Sequence, residues 1–307
     1  MLKQDIGEIR ALILKHKRWD FMFAICGVVA LMIGVLTFAA LFVGMAIDGL
    51  PRLSWDFFTN FPSRRSEHAG ILSAWVGTTL VMLVTAVAAI PVGVGAAVYL
   101  EEYAPKNILT DIIEINVTNL AGVPSIVYGL LALGLFVYTF GFGQSILSAG
   151  LTLGLLILPV VIVATRESIR SIPSVIREGA YALGATKWQT TADHILPYSA
   201  PGIMTGIIIG MARAIGETAP VITIGALTFI AFLPPAPIQR TFPFFNFDWL
   251  TSSFTVMPIQ MFNWTSRPEA AFHENAAAAG LVLVFMTLSM NAMAIYVRYR
   301  LRKNIKW

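Results

Sequence analysis

Two charged side chains stand where charge is expensive. Arg213 and Glu217 are four residues apart inside the apolar run 201–232. On a helix that spacing puts both on one face, with the carboxylate in reach of the guanidinium. Arg213 lies 12 residues past Pro201, about 18 Å along a helix, which is near the middle of a bilayer. An unpaired arginine there costs about 2.5–3.5 kcal/mol on insertion scales, so a partner or an aqueous cavity is expected. The chemistry on offer is anion recognition, because a guanidinium stays protonated and donates two parallel hydrogen bonds from a planar fork. Two readings stay open: a self-neutralising pair that makes the span insertable, or a pair lining a path for an anion. In the second, Glu217 holds Arg213 when no anion is present. Gly206, Gly210 and Gly216 are expected to let neighbouring helices approach.

Other chemistry is missing. No Gly-x-x-x-x-Gly-Lys-Ser/Thr phosphate loop occurs, so ATP hydrolysis by this chain is not expected. His16, His68, His194 and His273 are scattered without metal-ligand spacing, so no metal site is expected. A Gly-x-Ser-x-Gly nucleophile elbow is absent too. The lone cysteine, Cys26, sits in an apolar run and allows no intrachain disulfide.

The elements that position the charged pair follow from composition. The 307 residues are 57% hydrophobic and 12% charged, too little charge for a soluble surface. The expected class is an all-α polytopic membrane protein. Six apolar stretches approach or exceed the roughly 20 residues that cross a bilayer, at 21–47, 71–99, 112–140, 145–165, 201–232 and 276–297. The first is too long for a cleaved signal and reads as a retained span. Before it, Leu2, Ile6, Ile9 and Ile13 recur at helical spacing among Lys3, Arg10, Lys15 and Lys17, which predicts an interfacial amphipathic segment over 1–18. A six-span transmembrane domain is then expected over 19–299, and a basic tail over 300–307.

With the N-terminus inside, 15 of the 21 Lys and Arg fall on inner segments and 5 on outer loops, and Arg213 is within a span. Both termini are therefore expected to be cytoplasmic. The short inner loop carries Glu101, Glu102 and Asp111, expected to be solvated. Glu114, Asn116 and Asn119 open the third span, where helix-start and packing roles are expected. Arg166 and Arg170 read as positive-inside anchors, with a second anion contact as the lesser alternative. The outer loop 233–275 is rich in Pro and aromatics, among them Pro234, Phe244, Phe245, Trp249, Phe262 and Trp264. An interfacial belt and a docking surface for an external protein remain equal readings.

The inner loop 166–200 holds a polar hairpin. Ile172-Pro173-Ser174 turns the chain and Ser174 can cap a short helix, Gly184 can stop it, and Thr186 with Gln189 fits a capping box. Pro197 and Pro201 are expected to break the chain before the fifth span.

Glu178-Gly179-Ala180, then Gly184, then His194-Ile195-Leu196-Pro197, resembles the coupling motif of ABC importer permeases. Gly179 and His194 depart from the usual residues, but the Glu178, Gly184 and Pro197 frame is intact. The resemblance implies a MetI-like type I permease fold with a cytoplasmic coupling helix seated in a groove of an ATP-binding subunit. The runs 97–105, 119–130 and Arg213-Ala214-Ile215-Gly216-Glu217-Thr218-Ala219-Pro220 are similar to phosphate-specific permeases, and Phe254-Thr255-Val256-Met257-Pro258-Ile259-Gln260 to their A-type (PstA-type) member. That likeness implies inorganic phosphate import in a bacterial or archaeal inner membrane. The implied partners are an ATP-binding subunit dimer that holds ATP and Mg, a C-type permease, an external phosphate-binding protein and membrane lipid. No cofactor is expected in this chain, and no nucleic acid as partner. An importer of another oxyanion or small solute, and a transporter driven by an ion gradient, are the competing classes.

Overall fold

A computed structural model describes residues 2–238 and 244–303, with side chains described for 12–13, 16–238 and 244–300. The chain is all-helical: among the described residues the only extended pairing is an isolated bridge between Ile238 and Phe245. Among the described residues five helices are long and apolar enough to cross a membrane, and one helix pair bent by 107° brings the number to six if it counts as one span.

The first helix, α1 (Leu2–Gly49), is continuous. The segment 1–18 is therefore not set off by a break from the span that follows. Its amphipathic side chains before Leu12 lie outside the described residues, as do Arg240 and residues 304–307 of the tail. A short α2 (Trp55–Thr59) follows, capped where Phe57 N–H donates to Ser54 Oγ at 3.3 Å. Next come α3 (Leu72–Val98), α4 (Ile108–Leu120), α5 (Ser125–Ala132) and α6 (Ile146–Arg170). The chain then forms α7 (Ser174–Ala182), α8 (Lys187–Gln189), α9 (Leu196–Gly216), α10 (Ala219–Ile224), α11 (Met257–Thr265) and α12 (Ala270–Lys303).

The core is the bundle of α3, α6 and α9. Helix α6 covers the shortest of the six expected stretches, 145–165, yet its apolar window has the largest buried share of the five long spans described. The reason is its place between α3 and α9, which lipid does not reach. Two of its hydroxyls bond back to the helix, as an apolar setting favours: Thr152 Oγ1 donates to Ser148 O at 2.6 Å and Ser168 Oγ to Ala164 O at 2.6 Å, whereas Thr165 Oγ1 is buried without a partner. A Cβ on Gly206 would collide with Ala164, so this glycine sets how closely α9 approaches α6. A Cβ on Gly210 would make ordinary contact with Ile157 and Val161, whereas one on Gly216 would meet nothing within 4 Å.

Two expected straight spans are broken. The stretch 112–140 splits at Ala121–Pro124 into α4 and a helix from Ser125 through a π-helical end at Thr139. Pro124 has no N–H to give and disfavours helix in the residue before it, and Tyr128 Oη clamps the bend by donating to Leu120 O at 2.8 Å. The stretch 201–232 is helical only to Gly216, where Glu217 turns extended before the short α10.

The outer aromatics do not act as one set. Trp264 and Trp249 are buried, Trp264 beside Phe57 and Phe272 in a second core under α11 and α12. Phe244, Phe245 and Phe262 stay exposed. Arg52 ties this end of the molecule together, donating to Asn275 Oδ1 at 2.6 Å and to the Ser66, Glu67 and Ala69 carbonyls.

Candidate functional site

Arg213 and Glu217 do meet: Nε lies 3.2 Å from Oε1. They bracket a helix end rather than occupying a helix interior. Arg213 is in the last turn of α9, where its charge also complements the partly negative carbonyl end. Glu217 is the extended residue after it, and its N–H donates to Ala214 O at 3.2 Å. The pair is not enclosed by this chain. Side-chain exposure is 38% for Arg213 and 19% for Glu217, and the apolar Ile209 and Ile222 are exposed nearby in sequence. Facing hydrocarbon, such a guanidinium would be costly. Its setting calls for water or another protein surface across from it.

The hairpin forms as the motif suggests, with two corrections. Gly184 has φ +85, a left-handed conformation that glycine adopts without penalty. Around it Ala185 N–H donates to Ala180 O at 3.0 Å and Gly184 N–H to Tyr181 O at 2.9 Å, a Schellman closure of α7. Thr186 and Gln189 make the reciprocal capping box that opens α8. The N-cap of α7, however, is Pro173 without a side-chain cap; Ser174 is already inside the helix. Nor do the prolines break the chain. From Lys187 to Gly216 the path is one helical span. A π-helical turn at Thr190–Ile195 immediately precedes Pro197 and accommodates, within the continuing helix, the N–H that proline lacks.

Glu178, Gly179 and Pro197 are exposed, and Ala180 is buried. Leu183, at 92% exposure, stands with Val175, Tyr181 and Trp188 as an apolar outer surface on the hairpin. Its inner side is fixed by Ile172 and Ile195 packing with Ile169, Val98 and Tyr198. Arg213 and the hairpin therefore share one helical rod but are not together: Lys187 to Arg213 spans about 39 Å at helical rise.

The residues that sequence reasoning misread lie between them. Glu101 and Glu102 are not solvated, and Arg166 and Arg170 are not simple anchors. Arg166, 6% exposed, bonds Glu101 Oε2 at 3.3 Å and also reaches Glu114. Arg170 Nε lies 2.9 Å from both Glu101 oxygens. Glu114 is an ion-pair partner rather than a helix-start residue, whereas Asp111 is exposed as expected. Glu102 accepts from Arg177 at 2.7 and 3.1 Å. One signal was available: acids and arginines at span ends predicted to lie on the same side.

No group of three or more His, Cys, Asp or Glu suited to a metal occurs among the described residues.

Residues 89–306, more than half of the chain, match the family of the binding-protein-dependent transport system inner membrane component. The chain belongs to that family. Among its relatives is the phosphate transport system permease protein PstA 1 of Mycobacterium tuberculosis, 34% identical over 75% of this chain and 71% of that protein. A probable ABC transporter permease, YqgI of Bacillus subtilis, is 30% identical over 88% of this chain and 91% of that one. In fold, the permease resembles a chain of a bacterial alginate ABC transporter solved with an alginate-bound periplasmic protein, with a TM-score of 0.65 at 13% identity over 93% of this chain and 96% of that one. A chain of the MetNI methionine transporter in an inward-facing form matches at 0.56 and 15% identity over 73% of this chain and 94% of that one. The protein is thus a membrane-embedded ABC importer permease with a MetI-like fold.

Proposed function

We propose that this permease imports inorganic phosphate, as the A-type subunit paired with a C-type permease. An ATP-binding dimer and an external phosphate-binding protein complete the transporter. The observation that carries the reading is the Arg213–Glu217 pair, half-open at the surface of a chain whose relatives include phosphate permeases. A second permease across that face would supply the missing wall, leaving a water-filled path. Arg213 then exchanges Glu217 for phosphate oxygens, and Glu217 takes it back after release, which keeps affinity moderate.

Energy enters at the hairpin. Its exposed Leu183, Tyr181 and Trp188 fit a groove in the ATP-binding subunit, with Glu178, Gly179, Ala180, Gly184 and Pro197 shaping the surface. ATP binding closes that dimer, moves the hairpins and opens the permeases outward. The positive-inside charge distribution supports an orientation with this hairpin and both termini cytoplasmic.

The test is radiolabelled phosphate uptake in cells without their own high-affinity system, expressing the chain with its partner subunits. Energy-dependent uptake is expected for the unaltered protein, with loss in Arg213→Gln at equal assembly. Normal uptake by Arg213→Gln overturns the role of the pair. An assembled, ATP-hydrolysing complex that takes up no phosphate overturns the substrate.

A further inference from the structure

Three consecutive residues at the inner end of the second span each grip a different element. The span containing α3 does not stop at Val98 but continues through a π-helical turn, Tyr99–Tyr103, closed where Ala104 N–H donates to Tyr99 O at 2.8 Å. Such turns are rare and concentrate at functional sites. From this turn Glu101 reaches Arg166 and Arg170 at the end of α6. Glu102 reaches Arg177 on α7 at 2.7 Å. Tyr103 places its ring 5.1 Å from Lys187 Nζ, at the start of α8.

The partners are themselves shared. Arg177 also donates to the Ile172 and Ile169 carbonyls at 3.0 and 3.1 Å, so one guanidinium binds the hairpin, the end of α6 and the π-turn at once. Arg166 and Arg170 both extend to Glu114, which belongs to α4. Both arms of the hairpin are thus joined to the π-turn, and the turn is joined through two arginines to the limb before the 107° bend.

We propose that Glu101, Glu102 and Tyr103 form the joint that carries displacement of the hairpin to α4. Glu102–Arg177 is the input contact and Glu101–Arg166–Glu114 the output contact. Glu102 is a positioning residue in this scheme and touches no substrate. The chemistry suits transmission. Apolar contacts slide, whereas multidentate arginine–carboxylate pairs with little water around them hold direction and resist separation. Glu102 and Arg166 are each 6% exposed on the side chain or residue, which is far from the setting of a surface anchor.

The inference rests on the ABC importer reading, and its test separates the two. Complete transporters, with the external binding protein, are reconstituted into vesicles, and phosphate imported per ATP hydrolysed is measured. Glu102→Gln should lower that ratio about fivefold or more while hydrolysis per assembled complex stays within about twofold, and Glu102→Asp, which keeps the carboxylate facing Arg177, should retain much of it. A merely structural contact would reduce the amount of assembled complex and leave the ratio unchanged; that result overturns the joint. A second readout needs no transported solute. In a Cys26→Ser background, alkylation of Asn119→Cys on the exposed part of α4 should change with trapped nucleotide, and Glu102→Gln should abolish the change. Persistence of the nucleotide effect in Glu102→Gln overturns the joint. Failure of the unaltered transporter to import phosphate overturns the substrate alone, because the alkylation arm still reports the linkage.

Discussion

The molecule holds two arginine–carboxylate sites of opposite character. Arg213–Glu217 is local, four residues apart, single-contact and half-open. The Arg166 cluster joins residues 52 to 69 apart in the chain, shares two arginines between two carboxylates, and buries Arg166 within the same chain while Arg170 stays half-exposed. The first pair is poised to exchange partners and the second is built to keep them. Stability and turnover should therefore respond to the two sites in opposite ways.

The largest effect is expected at Arg166. Arg166→Met removes the buried member of the cluster and leaves Glu101 and Glu114 to the half-exposed Arg170, at about 2–3 kcal/mol for lost charge-assisted hydrogen bonds. The checking measurement is the thermal midpoint of the detergent-solubilised protein together with the amount recovered from the membrane. A shift no greater than that of Glu217→Gln would erase the contrast. Glu114→Gln is milder, about 1–2 kcal/mol, because Arg166 and Arg170 retain Glu101 and the site is partly open to solvent.

Gly184→Val comes next, at about 1–2 kcal/mol for forcing a β-branched residue into a left-handed turn. No neighbouring atom lies within 4 Å of the added Cβ, so the penalty is conformational and local to the hairpin. ATP hydrolysis without uptake, in a complex of near-normal thermal midpoint, is the expected readout. The smallest stability effect belongs to Glu217→Gln, under about 1 kcal/mol for an exposed pair. Uptake kinetics should nevertheless change, with tighter phosphate retention and slower turnover, since Arg213 loses its competing partner. Unchanged kinetics would remove the exchange role.

These differences also mark what could be read from the residues alone. A four-residue spacing on a helix is visible in any sequence, and so Arg213 with Glu217 was legible, as were Gly184 and the Thr186–Gln189 box. The Glu102–Arg177 pair spans 75 residues and depends on how spans stack, which no local pattern reports. The breaks at Pro124 and Glu217 were missed for a related reason. Apolar periodicity measures length, and a lipid-compatible run of residues looks the same whether straight or folded back. Pro197 misled in the other direction, because a π-turn just before it absorbs its missing donor within a continuing helix.

The unbroken path from Lys187 to Gly216 has a mechanical consequence. It packs tightly on α6 at Gly202 and Gly206, and Gly206 can serve as a fulcrum. The inner arm from Lys187 is then about 28 Å long and the outer arm to Arg213 about 10 Å. Rocking about that point moves the two ends in opposite directions and reduces the travel at Arg213 to about a third of that at the hairpin. A coarse stroke on the inner side becomes a fine adjustment of one guanidinium, delivered with nearly threefold greater force.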